Sequence, residues 1–180
     1  MTSGSRQSIE ESPRRYVLID RDGTVIEECH YLSDAGQVRL IPGSAEAMRT
    51  LREQGLGLAI VTNQSGVGRG YFDIKRLEQI NQRMCQLLAS EGVHLDGIYF
   101  CPHTPDDHCG CRKPRPGMIE QAAKELGFMP DQCMVVGDRE TDIELGENVG
   151  ATTFLVQTGY GAETATNRSA NPDYMVDNLL

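Results

Sequence analysis

The chain has 180 residues, 39% of them hydrophobic and 24% charged, which suits one domain with a core of its own. A net charge of −9 weighs against a protein that lives on nucleic-acid backbones, and no apolar run is long enough for a membrane-spanning helix. The opening MTSGSRQSIEESPRR lacks the apolar stretch of a secretory signal. Residues 1–14 therefore read as a disordered polar leader before a single domain over 15–180, expected in the cytoplasm as a monomer.

In chain order, YVLID (16–20) suits a buried strand that ends on an acid. A long connection from Arg21 to Pro42 follows, too long to be left loose in a compact domain, and a flap or hairpin over a crevice is expected there. GSAEAMRTLREQG predicts a helix with Ser44 as cap and Gly55 as stop. LGLAIVTN predicts a second buried strand. The stretch from Asp73 carries Ile74, Leu77, Ile80, Met84, Leu87 and Leu88 at helical spacing, with Asp73 as N-cap. GIYFC predicts a strand, MIEQAAKELG a helix ending on Gly127, CMVVGD a strand, TDIELGENVG a helix and TTFLVQTG a strand, with a short last strand in DYMVDNLL. Strands that alternate with helices imply a mainly parallel sheet with ligands outside the carboxyl ends of its strands. Asp20, Thr62-Asn63, Cys101 and Asp138 stand at those ends.

Asp20 and Asp22, two apart before a glycine, would be an ordinary turn if they stood alone. With a second acid, Asp138, closing another strand, they read as a cation site. Oxygen ligands favour Mg²⁺, held by the carboxylates of Asp20 and Asp138 and by the backbone carbonyl of Asp22. Asp20 is then the nucleophile toward phosphorus, and Asp22, its side chain free, the general acid and base. Thr62 offers a hydroxyl, and Asn63, Gln64, Ser65 and Gly66 offer backbone N–H groups to phosphate oxygens. Lys113 is expected to neutralise the transferring phosphoryl group, with Arg112 or Arg139 recognising a more distant part of the substrate and Arg115 a solvated surface charge. Cys101, His103, Cys109 and Cys111 form C-x-H-x₅-C-x-C, the donor set of a closed, structural Zn²⁺ site that would hold the loop carrying Arg112 and Lys113. His108 is a less regular alternative ligand, and Cys29, Cys85 and Cys133 read as packing thiols.

LIDRDGT, VTNQSG, CRKPRPGM and VGDRETDI together resemble the four motifs of the haloacid dehalogenase superfamily of phosphatases, over nearly the whole span from Tyr16 to Gly161. The resemblance implies a Rossmann-like α/β three-layer sandwich with no large cap domain and a zinc-stabilised loop. It implies the same roles for Asp20, Asp22, Asp138, Thr62 and Lys113. It also implies substrate contacts at Glu28, Cys29, His30 and Tyr31 in the flap, at Thr62, Asn63, Gln64 and Ser65, and at Arg112. TNQSGVGRGYF and the cysteine loop are most similar to the branch that removes the 7-phosphate of D-glycero-D-manno-heptose 1,7-bisphosphate, a small phosphorylated sugar on the way to lipopolysaccharide or surface glycans. Histidinol-phosphate phosphatases stand beside it. The branch often has lysine where this chain has Arg139, and Arg is not equivalent to Lys in geometry. A DNA 3′-phosphatase shares motifs of this type but fits poorly with the acidic chain. A catalytically dead zinc-binding module fits poorly with a complete catalytic set.

Overall fold

In the computed structural model, which describes residues 14–168 and 170–180, the strands form one six-stranded sheet in the order β3-β2-β1-β4-β5-β6, parallel throughout. They are β1 (Tyr16–Ile19), β2 (Gly57–Asn63), β3 (Gly97–Cys101), β4 (Met134–Gly137), β5 (Thr152–Val156) and β6 (Tyr174–Val176). The helices are α1 (Ser44–Glu53), α2 (Ser65–Gly68), α3 (Ile74–Ser90), α4 (Gly117–Leu126), α5 (Glu140–Val149) and α6 (Gly161–Asn167). The expected leader lies outside the described residues except for Arg14, whose guanidinium donates to the carbonyls of Gly55 and Leu56.

Strand alternation builds the three layers. Val17 and Ile19 of β1 join Leu58, Ile60 and Val136 on one face, where Met48 of α1 and Ile80, Met84 and Leu88 of α3 cover them. Tyr16 and Leu18 join Ala59, Val61 and Val135 on the other, under Met118, Ile119 and Ala122 of α4 and Leu145 of α5. β1 is apolar on both faces because it lies mid-sheet, between β2 and β4. The chain winds outward from β1 through β2 to β3, then returns to the other side of β1 as β4. The sheet therefore reverses its direction of growth between β1 and β4, and a crevice opens at the carboxyl ends there.

Two predicted details differ. Gly43, at φ 84, is the N-cap of α1; Ser44 is the first helical residue, and its hydroxyl donates to the Val25 carbonyl. Ile74 opens α3 but is exposed, because the helix reaches the core only from Leu77 onward. Asp73 caps that helix as predicted, accepting from the Arg76 N–H.

The connection from Arg21 to Pro42 folds back on itself. Ile26 bridges Leu40 in antiparallel sense, the Glu27 N–H donates to the Arg39 carbonyl, and Val25, Ile26, Leu32 and Val38 are buried in the core. Residues 28–31 are thereby carried over the crevice. Gly23 makes the turn possible: its φ is +83, and a Cβ there would strike the Asp138 carboxylate and the Gly159 backbone.

Candidate active site

Asp20 follows the last residue of β1, and its N–H donates to the Val136 carbonyl, which fixes it between the two central strands. Its Oδ1 accepts from Lys113 Nζ at 2.6 Å. The same ammonium donates to Asp142 Oδ1 at 2.5 Å and to the Val61 carbonyl at 3.0 Å. Lys113 is only 4% exposed; burial opposes its charge, but Asp142 and Asp20 hold its pKa above the usual lysine range. Asp142 sits in the first turn of α5, where its Oδ2 also accepts from the Arg139 N–H. Gly137 lets it come so close, since a Cβ on Gly137 would overlap the Asp142 carboxyl group.

Asp138 completes the cluster. Its Oδ2 accepts from the Tyr160 N–H at 2.7 Å, while its Oδ1 is buried without a hydrogen-bond partner. Asp20, Asp138 and Asp142 each bring a carboxylate oxygen within 4.8 Å of the others. Burial first, and then repulsion from Asp142, Asp138 and Asp22, raises Asp20 to about 8 against the pull of Lys113. Burial and Asp142 raise Asp138 to about 7. One ammonium does not neutralise three buried carboxylates. The orphaned Asp138 oxygen and the all-oxygen donor set fit a hard divalent cation.

Asp22 is held from the opposite side. Arg21, 1% exposed, donates through Nε and Nη2 to the two Asp22 oxygens at 3.1 and 3.0 Å and through Nη1 to Asn81 Oδ1 at 2.8 Å. Gln64 Nε2 donates to Asp22 Oδ2 at 2.7 Å and to Thr62 Oγ1 at 2.9 Å. The Asp22 side chain is thus aimed into the cleft by two neighbours, while Thr62, buried at the end of β2, stands beside it.

The glycine-rich segment departs from the expectation that Gln64 offers its backbone N–H to a phosphate. Ser65–Gly68 form the short helix α2, and the Gln64 N–H donates to the Cys101 carbonyl, so that amide is not a free phosphate donor. The strand-to-helix passage runs against the end of β3, where the Gly68 N–H likewise donates to the Pro102 carbonyl. Asn63 braces Lys113 instead of standing free: its amide bonds both the N–H and the carbonyl of Lys113.

The cleft, about 620 Å³, is lined by Asp20 and Asp22 and by Glu28, Cys29, His30 and Tyr31 of the flap, with Ser65, Arg69, Arg112 and Arg139 around its mouth. The flap and the strand ends therefore face one space, as predicted. Arg139 Nη2 stands 3.5 Å from Glu28 Oε2. Arg112 donates to the His103 carbonyl at 3.2 Å, and Arg115, an exposed charge as expected, also donates to the Cys109 carbonyl at 2.6 Å.

That loop brings Cys101, His103, Cys109 and Cys111 together. The sulfurs lie 3.3–3.5 Å apart, and His103 Nδ1 is 3.5 Å from Cys101 and 3.4 Å from Cys111. Burial works against a charged Cys109, but the Cys101 and Cys111 thiols beside it bring its pKa down to about 7. Three sulfurs and one imidazole at the corners of a tetrahedron fit a closed metal site. His108 stands outside this group, in a left-handed turn at φ 46.

A HAD-hydrolase-like family model matches residues 110–180. The chain is 38% identical over 173 residues to the D-glycero-beta-D-manno-heptose-1,7-bisphosphate 7-phosphatase of Pasteurella multocida, covering 92% of this chain and 93% of that one. It is 40% identical over 175 residues to the protein of that name from Haemophilus ducreyi, covering 93% and 95%. The chain belongs to this family of haloacid-dehalogenase-like phosphatases. Among solved structures, a D,D-heptose 1,7-bisphosphate phosphatase from B. bronchiseptica, complexed with magnesium and phosphate, matches with TM-score 0.86 and 34% identity over 92% of this chain and 93% of that chain.

Membership of the family agrees with the four motifs and with the parallel sheet that carries them. Four participants were not singled out from the sequence. Asp142 had a usable signal, an acid four residues after Asp138 on the first turn of a helix. Arg21, Arg69 and Tyr160 had none beyond their proximity to motif residues; Arg21 is a buried cation whose partner Asn81 lies 60 positions away.

Proposed function

We propose that this chain hydrolyses the 7-phosphate of D-glycero-β-D-manno-heptose 1,7-bisphosphate through an aspartyl-phosphate on Asp20. The observation that carries the chemistry is a lysine-held carboxylate at a strand end, with a second, separately held carboxylate two residues on, inside a cleft rimmed by cations. The names of the relatives carry the substrate and its β anomer. Residues 15–180 act as one domain, a monomer in the cytoplasm, where the free thiols stay reduced. Among the described residues no helix is long and apolar enough to cross a membrane.

Asp20 attacks phosphorus with one carboxylate oxygen, forming the aspartyl P–O bond as the bond to the sugar oxygen breaks. Lys113 and Thr62 stand where they can hold equatorial phosphoryl oxygens. Asp22 gives its proton to the departing sugar oxygen, with Arg21 and Gln64 keeping the carboxyl group in position. Asp22 then takes a proton from a water that attacks phosphorus, and the bond to Asp20 breaks to release phosphate. Asp20, Asp138 and the Asp22 carbonyl would hold Mg²⁺, with Asp142 beside them; bound there, the ion supplies the charge that neutralises carboxylates and phosphoryl oxygens. Glu28, Cys29, His30, Tyr31, Asn63, Gln64, Ser65, Arg112 and Arg139 form the substrate-facing wall. Cys101, His103, Cys109 and Cys111 would hold Zn²⁺, which would fix the loop presenting Arg112 and Lys113.

The substrate assignment is tested by phosphate release from both anomers of the heptose bisphosphate, from histidinol phosphate and from a 3′-phosphorylated oligonucleotide. Preference for the β-bisphosphate is expected. Preference for histidinol phosphate would replace the substrate and leave the chemistry standing.

Two metal predictions follow from the site. Asp20 and Asp138 titrate near 8 and 7 in the folded chain against 3.8 as the ordinary value, so the folded state binds more protons than the unfolded one between those limits. Stability of the metal-free chain therefore falls as pH rises from about 4 to about 8. The rise in melting temperature on adding Mg²⁺ is expected to be larger at pH 8 than at pH 5; an equal rise at both would contradict the site. For zinc, metal analysis should find one ion per chain. Cys109→Ser should lose it, lower the melting temperature by roughly 5–10 °C, and cut turnover through displacement of Lys113. Full zinc content in that variant would reject the assignment.

A further inference from the structure

The lip of the cleft holds a cluster built around the side chain of Tyr160, which none of these steps uses. The Arg139 guanidinium carbon lies 3.8 Å from the ring centroid of Tyr160, so the cation stacks on the aromatic face. The Tyr160 hydroxyl stands 3.3 Å from His30 Nδ1 in the flap, and Glu28 of the same flap faces Arg139. The backbone of Tyr160 has a separate task, since its N–H donates to Asp138. Any residue other than proline keeps that N–H, so the work of the ring can be separated from the work of the peptide.

A guanidinium lying flat on a ring keeps its in-plane N–H groups free for an anion, a geometry that a lysine ammonium does not have. Of the other cations lining the cleft, Arg69 has no aromatic ring beneath it among the described residues, and the remaining three are engaged within the protein. Lys113 is taken up by Asp20 and Asp142, Arg21 by Asp22 and Asn81, and Arg112 donates to the His103 carbonyl. The side chain of Arg139 remains 47% exposed on the cleft mouth.

We propose that Tyr160 is a positioning residue that holds Arg139 flat at the lip to receive the phosphate on the far end of the substrate, so that the ring helps select a bisphosphate over a monophosphate. This rests on the bisphosphatase reading above. An arriving phosphate takes the N–H groups of Arg139 in competition with Glu28, while the ring keeps the guanidinium from swinging into solvent.

The test compares kcat/KM for the β-heptose 1,7-bisphosphate with kcat/KM for the heptose 7-phosphate, which lacks the distal phosphate, in variants whose zinc content and melting temperature match the wild type. Tyr160→Ala is expected to lower the ratio of the two by about 10-fold, chiefly through KM for the bisphosphate. Tyr160→Phe keeps the ring face and should hold the ratio within about 2-fold of wild type. In an Arg139→Ala background, Tyr160→Ala should lower the ratio no further. An equal loss on both substrates, or a full further loss without Arg139, would overturn the role of Tyr160. A wild-type enzyme indifferent to the distal phosphate would overturn the bisphosphatase reading and this inference with it, and would be recognised before any variant is made.

Discussion

Asp20→Asn should reduce turnover by at least about 10⁴-fold while leaving the fold at least as stable as the wild type. Asparagine preserves the shape of the side chain, and its amide oxygen can still accept from Lys113. What it lacks is the charge and nucleophilicity that open the reaction. The same charge is unfavourable at rest, since burial and three neighbouring carboxylates push Asp20 up to about 8. Removing it relieves repulsion with Asp138 and Asp142 and leaves Lys113 paired with Asp142. Function and stability are therefore expected to move in opposite directions at this position. Phosphate release and a thermal melt in metal-free buffer check the two halves. Residual activity within about 10-fold of wild type would remove Asp20 from the nucleophile's role. A large drop in melting temperature would mean that its charge is needed by the fold.

Lys113→Met should fail on both counts. The side chains are of similar length, so packing is nearly kept, but Asp20 and Asp142 lose the ammonium that lies between them. Removing one member of a buried charge cluster costs about 3–5 kcal/mol because the remaining carboxylates are left uncompensated. For a chain of this size that lowers the melting temperature by roughly 10 °C. Loss of a positive donor to the transferring phosphoryl group should lower kcat by about 10²–10³-fold. Added Mg²⁺ should recover part of the stability and little of the rate, because a cation near Asp138 offsets the repulsion without restoring the donor at Asp20. A variant that melts like the wild type would show that Lys113 does not neutralise this cluster.

The contrast between these two substitutions shows what the sequence can reveal about this protein. Asp20 and Asp22 were legible because they are local: an apolar run that ends on an acid pair is unusual within ten residues of chain. The cysteine loop was legible for the same reason, with its four donors inside eleven positions. β1 and β2 followed from their continuous apolar runs and α3 from periodicity, since Leu77, Ile80, Met84 and Leu88 keep helical spacing against the sheet. The supports of the site were not legible. Lys113 meets Asp20 across 93 positions and Asp142 across 29, and nothing in CRKPRPGM announces which acids its ammonium will join. Arg21 reads as one more surface charge until Asn81 is brought to it from α3. Ser44 looks like a cap because its type and place suit one, yet Gly43 takes the left-handed conformation and Ser44 turns to Val25. Local chemistry singled out the candidate reacting groups, whereas contacts distant in sequence decide how each is held.

In this mechanism the phosphate on the primary carbon of the sugar is brought to Asp20 while the anomeric phosphate stays at the cleft mouth. Phosphorus NMR of the β-heptose 1,7-bisphosphate during turnover tests this directly, because the two phosphates of the substrate are distinguishable throughout. The signal of the 7-phosphate is expected to disappear as inorganic phosphate grows, with the anomeric phosphate ester persisting in the product. Loss of the anomeric phosphate first, or of both at similar rates, would contradict it.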